Sequence, residues 1–178
     1  KIDNKHQKYF QLIAFDLTQL NSDVIRAFNK KYPTDEKPNL SEVVKGEVEF
    51  YAHCVTKWGV KLGCWEKVGK SVDIGRLDHI LFRDTEDYGH AAGEEPILVS
   101  SNWYTWRVGG PFTDVGKLEA ENRMAEIGLV INPESIIHRM RTGEYDFPFY
   151  PDFEKKKKGV FTKIEEIFSV KIDDETKK

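Results

Sequence analysis

The stretch Glu47-Val48-Glu49-Phe50-Tyr51-Ala52-His53-Cys54-Val55 alternates without a break. Val48, Phe50, Ala52 and Cys54 fall on one side of an extended chain, and Glu47, Glu49, Tyr51 and His53 on the other. Successive side chains of a strand point to opposite faces, so a period of two with one apolar side predicts a half-buried β-strand. Such a strand needs neighbours, and the flanking sequence offers several. Residues 9–15 (Tyr-Phe-Gln-Leu-Ile-Ala-Phe) have the composition and length of a buried strand. Residues 79–83 predict another, and residues 97–108, with Val99, Trp103, Tyr104, Trp106 and Val108, predict a third that Gly109-Gly110-Pro111 stops. Residues 127–131 form a short apolar strand. Between Trp58 and Gly69 lie Gly59, Gly63 and Gly69, which argue against a helix and predict a turn followed by a short strand at residues 64–68.

Helical signals are fewer. Asn21 or Ser22 is a candidate N-cap before Val24, Ile25 and Phe28, with Pro33 as the stop, so a helix is expected there. The cleanest signal is Asn132-Pro133. Asn caps, Pro sits where its missing N–H costs nothing, Ile136, Ile137 and Met140 form an apolar stripe, and Gly143 closes. His138, Arg139 and Arg141 place cations near the C-terminal end of the dipole. A helix over 133–142 is predicted. Residues 117–124 read as a surface helix or an extended loop, and residues 162–172 as a final short helix or an edge strand. Together these elements predict an α+β fold: one domain over 1–153, dominated by a twisted antiparallel sheet with two or three short helices. Residues 146–153 are expected to run extended on its surface. Residues 154–178 are expected to form a C-terminal extension, packed on the domain or partly flexible, with Lys155–Lys158 as a solvated turn whose charge Asp152, Glu154, Glu165 and Glu166 offset.

The chain has 178 residues, with 27 basic and 30 acidic side chains and a net charge of -3. That balance argues against a strongly basic nucleic-acid binder. With 39% hydrophobic and 12% aromatic residues the chain can bury a core. Cys54 and Cys64 lack the spacing of a disulfide framework or a zinc site, and two buried, reduced thiols are expected. No apolar run approaches a membrane span, and the polar start of residues 1–8 does not read as a signal peptide. A cytoplasmic protein is the expectation.

Candidate chemistry is sparse. His79, Asp84, Glu86, Asp87 and His90 bring imidazoles and carboxylates into one region, but match no ligand spacing. Asp16 follows the first strand, where a carboxylate can serve metal-assisted phosphodiester cleavage. The competing reading is a turn residue. His53 and Cys54 are adjacent in a predicted strand, so their side chains point apart and cannot form a dyad. Trp103 and Trp106, three apart in a strand, should face opposite ways, one in the core and the other available as an interface anchor. Gly109-Gly110-Pro111 is no phosphate loop, and no serine elbow occurs. No catalytic constellation, metal site or cofactor is predicted.

Four blocks, in order, resemble the immunity proteins of bacterial polymorphic-toxin systems, in particular the family catalogued as immunity protein twenty-six. They are Gly63-Cys64-Trp65-Glu66-Lys67-Val68-Gly69; Ile80-Leu81-Phe82-Arg83 with Asp87-Tyr88-Gly89; Asn102-Trp103-Tyr104-Thr105-Trp106-Arg107 leading to Val115-Gly116-Lys117-Leu118; and residues 127–147, from Ile127-Gly128-Leu129 to Tyr145-Asp146-Phe147. The resemblance covers about residues 47–151, and its last block is the most specific. It implies a non-enzymatic cytoplasmic protein that binds one cognate protein toxin and blocks it, with no role for nucleic acid or membrane. No site residue is carried over from it. Charge patches steer such encounters. The acidic segments Asp84, Glu86, Asp87, Glu94, Glu95 and Glu119, Glu121, Glu126 are therefore expected to lie near each other as a toxin-facing patch, with Trp103 and Trp106 as aromatic candidates. The rival reading is a small metal-dependent nuclease or phosphodiesterase built on Asp16 or Asp84. Convergence of those acids within about 4–5 Å around a metal would favour it.

Overall fold

The computed structural model describes residues 1–87 and 97–146. In chain order its elements are β1 (His6–Gln7), β2 (Phe10–Asp16), β3 (Ser22–Phe28), β4 (Tyr32–Pro33), α1 (Leu40–Val43), β5 (Val48–Cys54), α2 (Thr56–Lys61), β6 (Leu81–Thr85), β7 (Trp103–Arg107), β8 (Thr113–Gly116), a 3-10 helix (Ala120–Met124), β9 (Glu126–Ile127), β10 (Val130–Ile131) and α3 (Pro133–Thr142). The fold is α+β, mostly antiparallel, with three short α-helices among the described residues. Its strands form two four-stranded sheets and a small β1–β4 pair, where a single dominant sheet was expected.

The alternating stretch is β5, an inner strand of the first sheet, whose order is β10-β5-β3-β2. One face of this sheet packs Ile25, Ala27, Phe50, Ala52 and Cys54 against Ile136 and Met140 of α3. The opposite face packs Ile13 and Val24 against Ile80, Phe82 and Trp106 of the second sheet, whose order is β8-β7-β6-β9. The inner strands β3 and β5 are thus covered on both sides. This accounts for the correction at residues 22–28, which form a strand and not the expected helix. Val24 and Ile25 are adjacent yet both fully buried, one on each face, so no alternation shows in the sequence. Asn21 takes a left-handed φ of 46° in the turn that reverses the chain.

A register shift between Leu12 and Ala14 puts one extra residue into β2. Before it, Phe10 and Leu12 pair with Ala27 and Ile25 on the α3 face. After it, Phe15 pairs with Asp23, while Ala14 and Asp16 pair with Val24 and Ser22 on the inter-sheet face. A one-residue slip swaps the faces of all that follows. The bulge therefore turns Asp16 into the interior.

Helix α3 matches its signals: Asn132 Oδ1 accepts from the Ser135 N–H at 2.8 Å, and Gly143 closes at φ 86°. A cap of this kind contributes about 1 kcal/mol. The glycine-rich stretch departs from expectation: residues 56–61 are helical and residues 64–68 are not a strand. A Cβ at Gly59 would lie 2.0 Å from the Trp65 ring, which packs directly on the helix backbone. Residues 126–131 divide between the sheets, β9 joining β6 and β10 joining β5, both in parallel. Gly128 at the crossing lets the Trp106 ring and the Arg83 carbonyl approach, 1.9 and 2.8 Å from where its Cβ would be. Cys54 and Cys64 are both free. No described helix is long and apolar enough to cross a membrane.

Candidate functional site

Asp16, Ser22 and His53 meet between the two sheets. The bulge delivers Asp16, its cross-strand partner is Ser22, and His53 lies opposite Val24 on the next strand. His53 Nδ1 is hydrogen-bonded to Ser22 Oγ at 2.9 Å. Asp16 Oδ1 accepts from the Thr18 hydroxyl at 2.8 Å and from its N–H at 3.3 Å, the turn role that competed with catalysis in the sequence. Asp16 Oδ2 and His53 Nε2 are 3.8 Å apart. Neither has a hydrogen-bond partner among the described residues, and the same holds for Trp106 Nε1. The His53 ring packs 4.2 Å from that of Phe82. Burial drives the His53 pKa down to about 4, and the nearby Asp16 charge opposes that shift only in part.

Ser, His and Asp are the residues of hydrolytic triads, but those depend on a serine at the mouth of a site. Here Asp16 and His53 are completely buried and Ser22 nearly so. The serine meets Nδ1 while the carboxylate faces Nε2. Asp16 and Asp84 have separate partners. Asp84 accepts from the Thr85 N–H at 2.8 Å and from Tyr104. Burial raises its pKa to about 6, while those two hydrogen bonds pull the other way. Among the described residues no group of three His, Cys, Asp or Glu is placed to hold a metal ion. His79 is exposed and hydrogen-bonded to the Tyr51 hydroxyl at 3.0 Å.

Of the residues expected on an acidic, aromatic partner surface, several are interior. Asp84, Trp103 and Trp106 are buried. The two tryptophans do face opposite sides of the second sheet. Trp106 packs toward the first sheet, and Trp103 lies under the Arg83 guanidinium with its Nε1 donating to the Ser100 carbonyl at 2.9 Å. Asp87 is half-buried and ties the segment after β6 to the start of β7, accepting from Ser100 Oγ at 2.7 Å and Asn102 Nδ2 at 3.0 Å. Glu126 forms a forked pair with Arg139 at 2.7 and 3.2 Å. Glu86, Glu119 and Glu121 are exposed, and the 3-10 helix that carries Glu121 lies against β6. Glu94, Glu95 and His90 lie outside the described residues, as do residues 147–178.

Large apolar side chains are exposed at several places among the described residues, from Val72 and Met124 to the start of α2. Phe15 is 65% exposed, Leu17 72%, Trp58 62% and Leu62 59%. Backbone register places Phe15 in line with the start of α2. Phe15 pairs with Asp23, Asp23 pairs with Cys54, and the Asp23 carboxylate takes both the N–H and the hydroxyl of Thr56 at the start of α2. The row Phe15–Asp23–Cys54 therefore ends where Trp58 begins. The sequence marked Trp58 only as one of four tryptophans. Its exposure follows from the unforeseen helix, which buries Gly59 and leaves its neighbours outside. No protein-family model, curated protein or solved structure matches the chain.

Proposed function

We propose that this chain is an immunity protein, a binding protein that neutralises a cognate protein toxin by covering it. The carrying observation is the exposed apolar surface at Phe15, Leu17, Trp58 and Leu62. Large apolar residues clustered in water mark interaction sites, and a central Trp is a favoured energetic anchor. The four sequence blocks that resemble polymorphic-toxin immunity proteins support a protein toxin as the partner. Their most specific block, residues 127–147, includes the β9–β10 crossing and α3, so it serves mainly the scaffold on which the surface is mounted. An interface of standard size buries about 800 Å² on each partner, more than these four side chains supply, so their polar surroundings contribute as well.

The reading expects a toxin domain encoded beside this chain, and the test is co-expression with it. Rescue of growth, together with a one-to-one complex on gel filtration, is the expected result. Failure of both would overturn the reading. Trp58→Ala should weaken the rescue while leaving thermal stability unchanged.

A further inference from the structure

We infer that residues 56–70 are the docking surface of this protein and that the partner presents an acidic protein segment carrying one large apolar side chain. The inference rests on the binding reading above and adds the chemistry of the partner. Gly59 faces inward against the Trp65 ring, and Trp65 Nε1 donates to the Thr56 carbonyl at 3.0 Å, which fixes the rotation of α2. At 100° per residue, Lys57 and Lys61 then point away from the body, and Trp58 and Leu62, four apart, share one flank. All four are exposed. Lys67, Val68 and Lys70 are also exposed, on the segment that runs on to α1, where Gly69 lies against the Leu40 side chain.

The charge of this surface opposes that of the chain. Residues 56–70 hold four lysines and one acid, Glu66, whereas the whole chain carries -3. Among the described residues none of these lysines is in an ion pair, so their charge is available to a partner. A local positive field around an apolar anchor attracts and orients an acidic surface. This reverses the sign expected from the sequence, which placed an acidic patch at the interface.

The same features favour a protein over a phosphate polymer or a bilayer. Residues 56–70 contain no arginine for bidentate phosphate contacts. The α2 helix has six residues, too few to lay a long apolar stripe into a lipid interface. Tryptophan and leucine on one flank, bordered by lysines, suit a single inserted side chain with carboxylates around it.

A random twelve-residue peptide display library panned on the full chain tests this directly. The selected peptides should be net acidic and contain a Trp, Phe or Leu. Trp58→Ala and the Lys57→Glu/Lys61→Glu pair should each weaken them about tenfold or more, as loss of an anchor does. Replacing the peptides' acids by lysine should restore binding to the Glu pair. Neutral or basic selected peptides, or binding indifferent to both variants, overturn the inference. So does tighter binding to single-stranded RNA or to vesicles of phosphatidylserine and phosphatidylcholine. Acidic-peptide selection without rescue from a toxin would leave this surface standing and remove the immunity reading. Rescue that survives both variants would do the reverse.

Discussion

His53 Nε2 lies 3.8 Å from Asp16 Oδ2 in the layer between the two sheets, both side chains shut off from solvent. The separation exceeds a hydrogen bond, so burial dominates the titration of the imidazole and the carboxylate only moderates it. Ser22 Oγ and His53 Nδ1 share a hydrogen bond at 2.9 Å, with the donor set by the tautomer of the imidazole.

This arrangement makes folding sensitive to acid. The His53 pKa is about 4 in the folded protein against 6.5 in an unfolded chain. Below pH 6.5 the unfolded chain takes up a proton that the folded protein refuses, so stability is full above that pH and falls until about pH 4. The loss attributable to His53 is roughly 3 kcal/mol across the window. Urea midpoints at pH 7.5 and 4.5 should differ more for the native protein than for His53→Gln. Equal differences would remove His53 as the cause.

Asp84 acts with the opposite sign. Its pKa of about 6 stands above the 3.8 of an unfolded chain, so the folded protein holds a proton that the unfolded chain has released. Its favourable contribution is present below pH 3.8 and is lost as pH rises through 6. Asp84→Asn, which keeps an acceptor for the Thr85 N–H, should stabilise the protein at pH 8 by about 1–2 kcal/mol and do little at pH 4. Calorimetric melting at the two pH values checks this, and destabilisation at pH 8 would contradict it.

Glu126 joins three elements. It pairs with Arg139 of α3, and its Oε1 accepts from the Tyr51 N–H of β5 at 3.2 Å. Arg139 also lies 4.2 Å from the Phe50 ring and 4.7 Å from that of Tyr145. Glu126→Ala would leave a largely enclosed guanidinium without its counter-charge, at a cost of about 3 kcal/mol. Exposed Glu121→Ala should cost under about 0.5 kcal/mol, and chemical denaturation of the two variants separates the roles.

Two glycines test close packing. Gly128→Ala drives a Cβ into the Trp106 ring and the Arg83 carbonyl, and backbone cannot swing aside. The atoms nearest a Cβ at Gly59 all belong to the Trp65 ring, a side chain, and alanine favours the helix by about 1 kcal/mol. Gly128→Ala should be the worse by about 2 kcal/mol or more in thermal melts, since overpacking costs rise when nothing can yield. Near-equal melting points would show that the β9–β10 crossing is looser than its geometry.

Local signals alone determined two elements here. Residues 48–54 alternate, so they could only be a strand with one apolar face, and Asn132, Pro133 and Gly143 mark both ends of α3. The free thiols and the antiparallel α+β character followed from spacing and composition in the same way. What the tertiary structure decided is which groups face water. A strand buried on both faces carries no alternation, so β3 resembled a helix until a second sheet covered it. A single bulge sent Asp16 inward. Strand pairing with β7 enclosed Asp84, and the Trp65 ring made Gly59 a helix residue and exposed Trp58. Burial is set by contacts between residues far apart in the chain, and the periodicity of one segment does not reveal what will cover its second face.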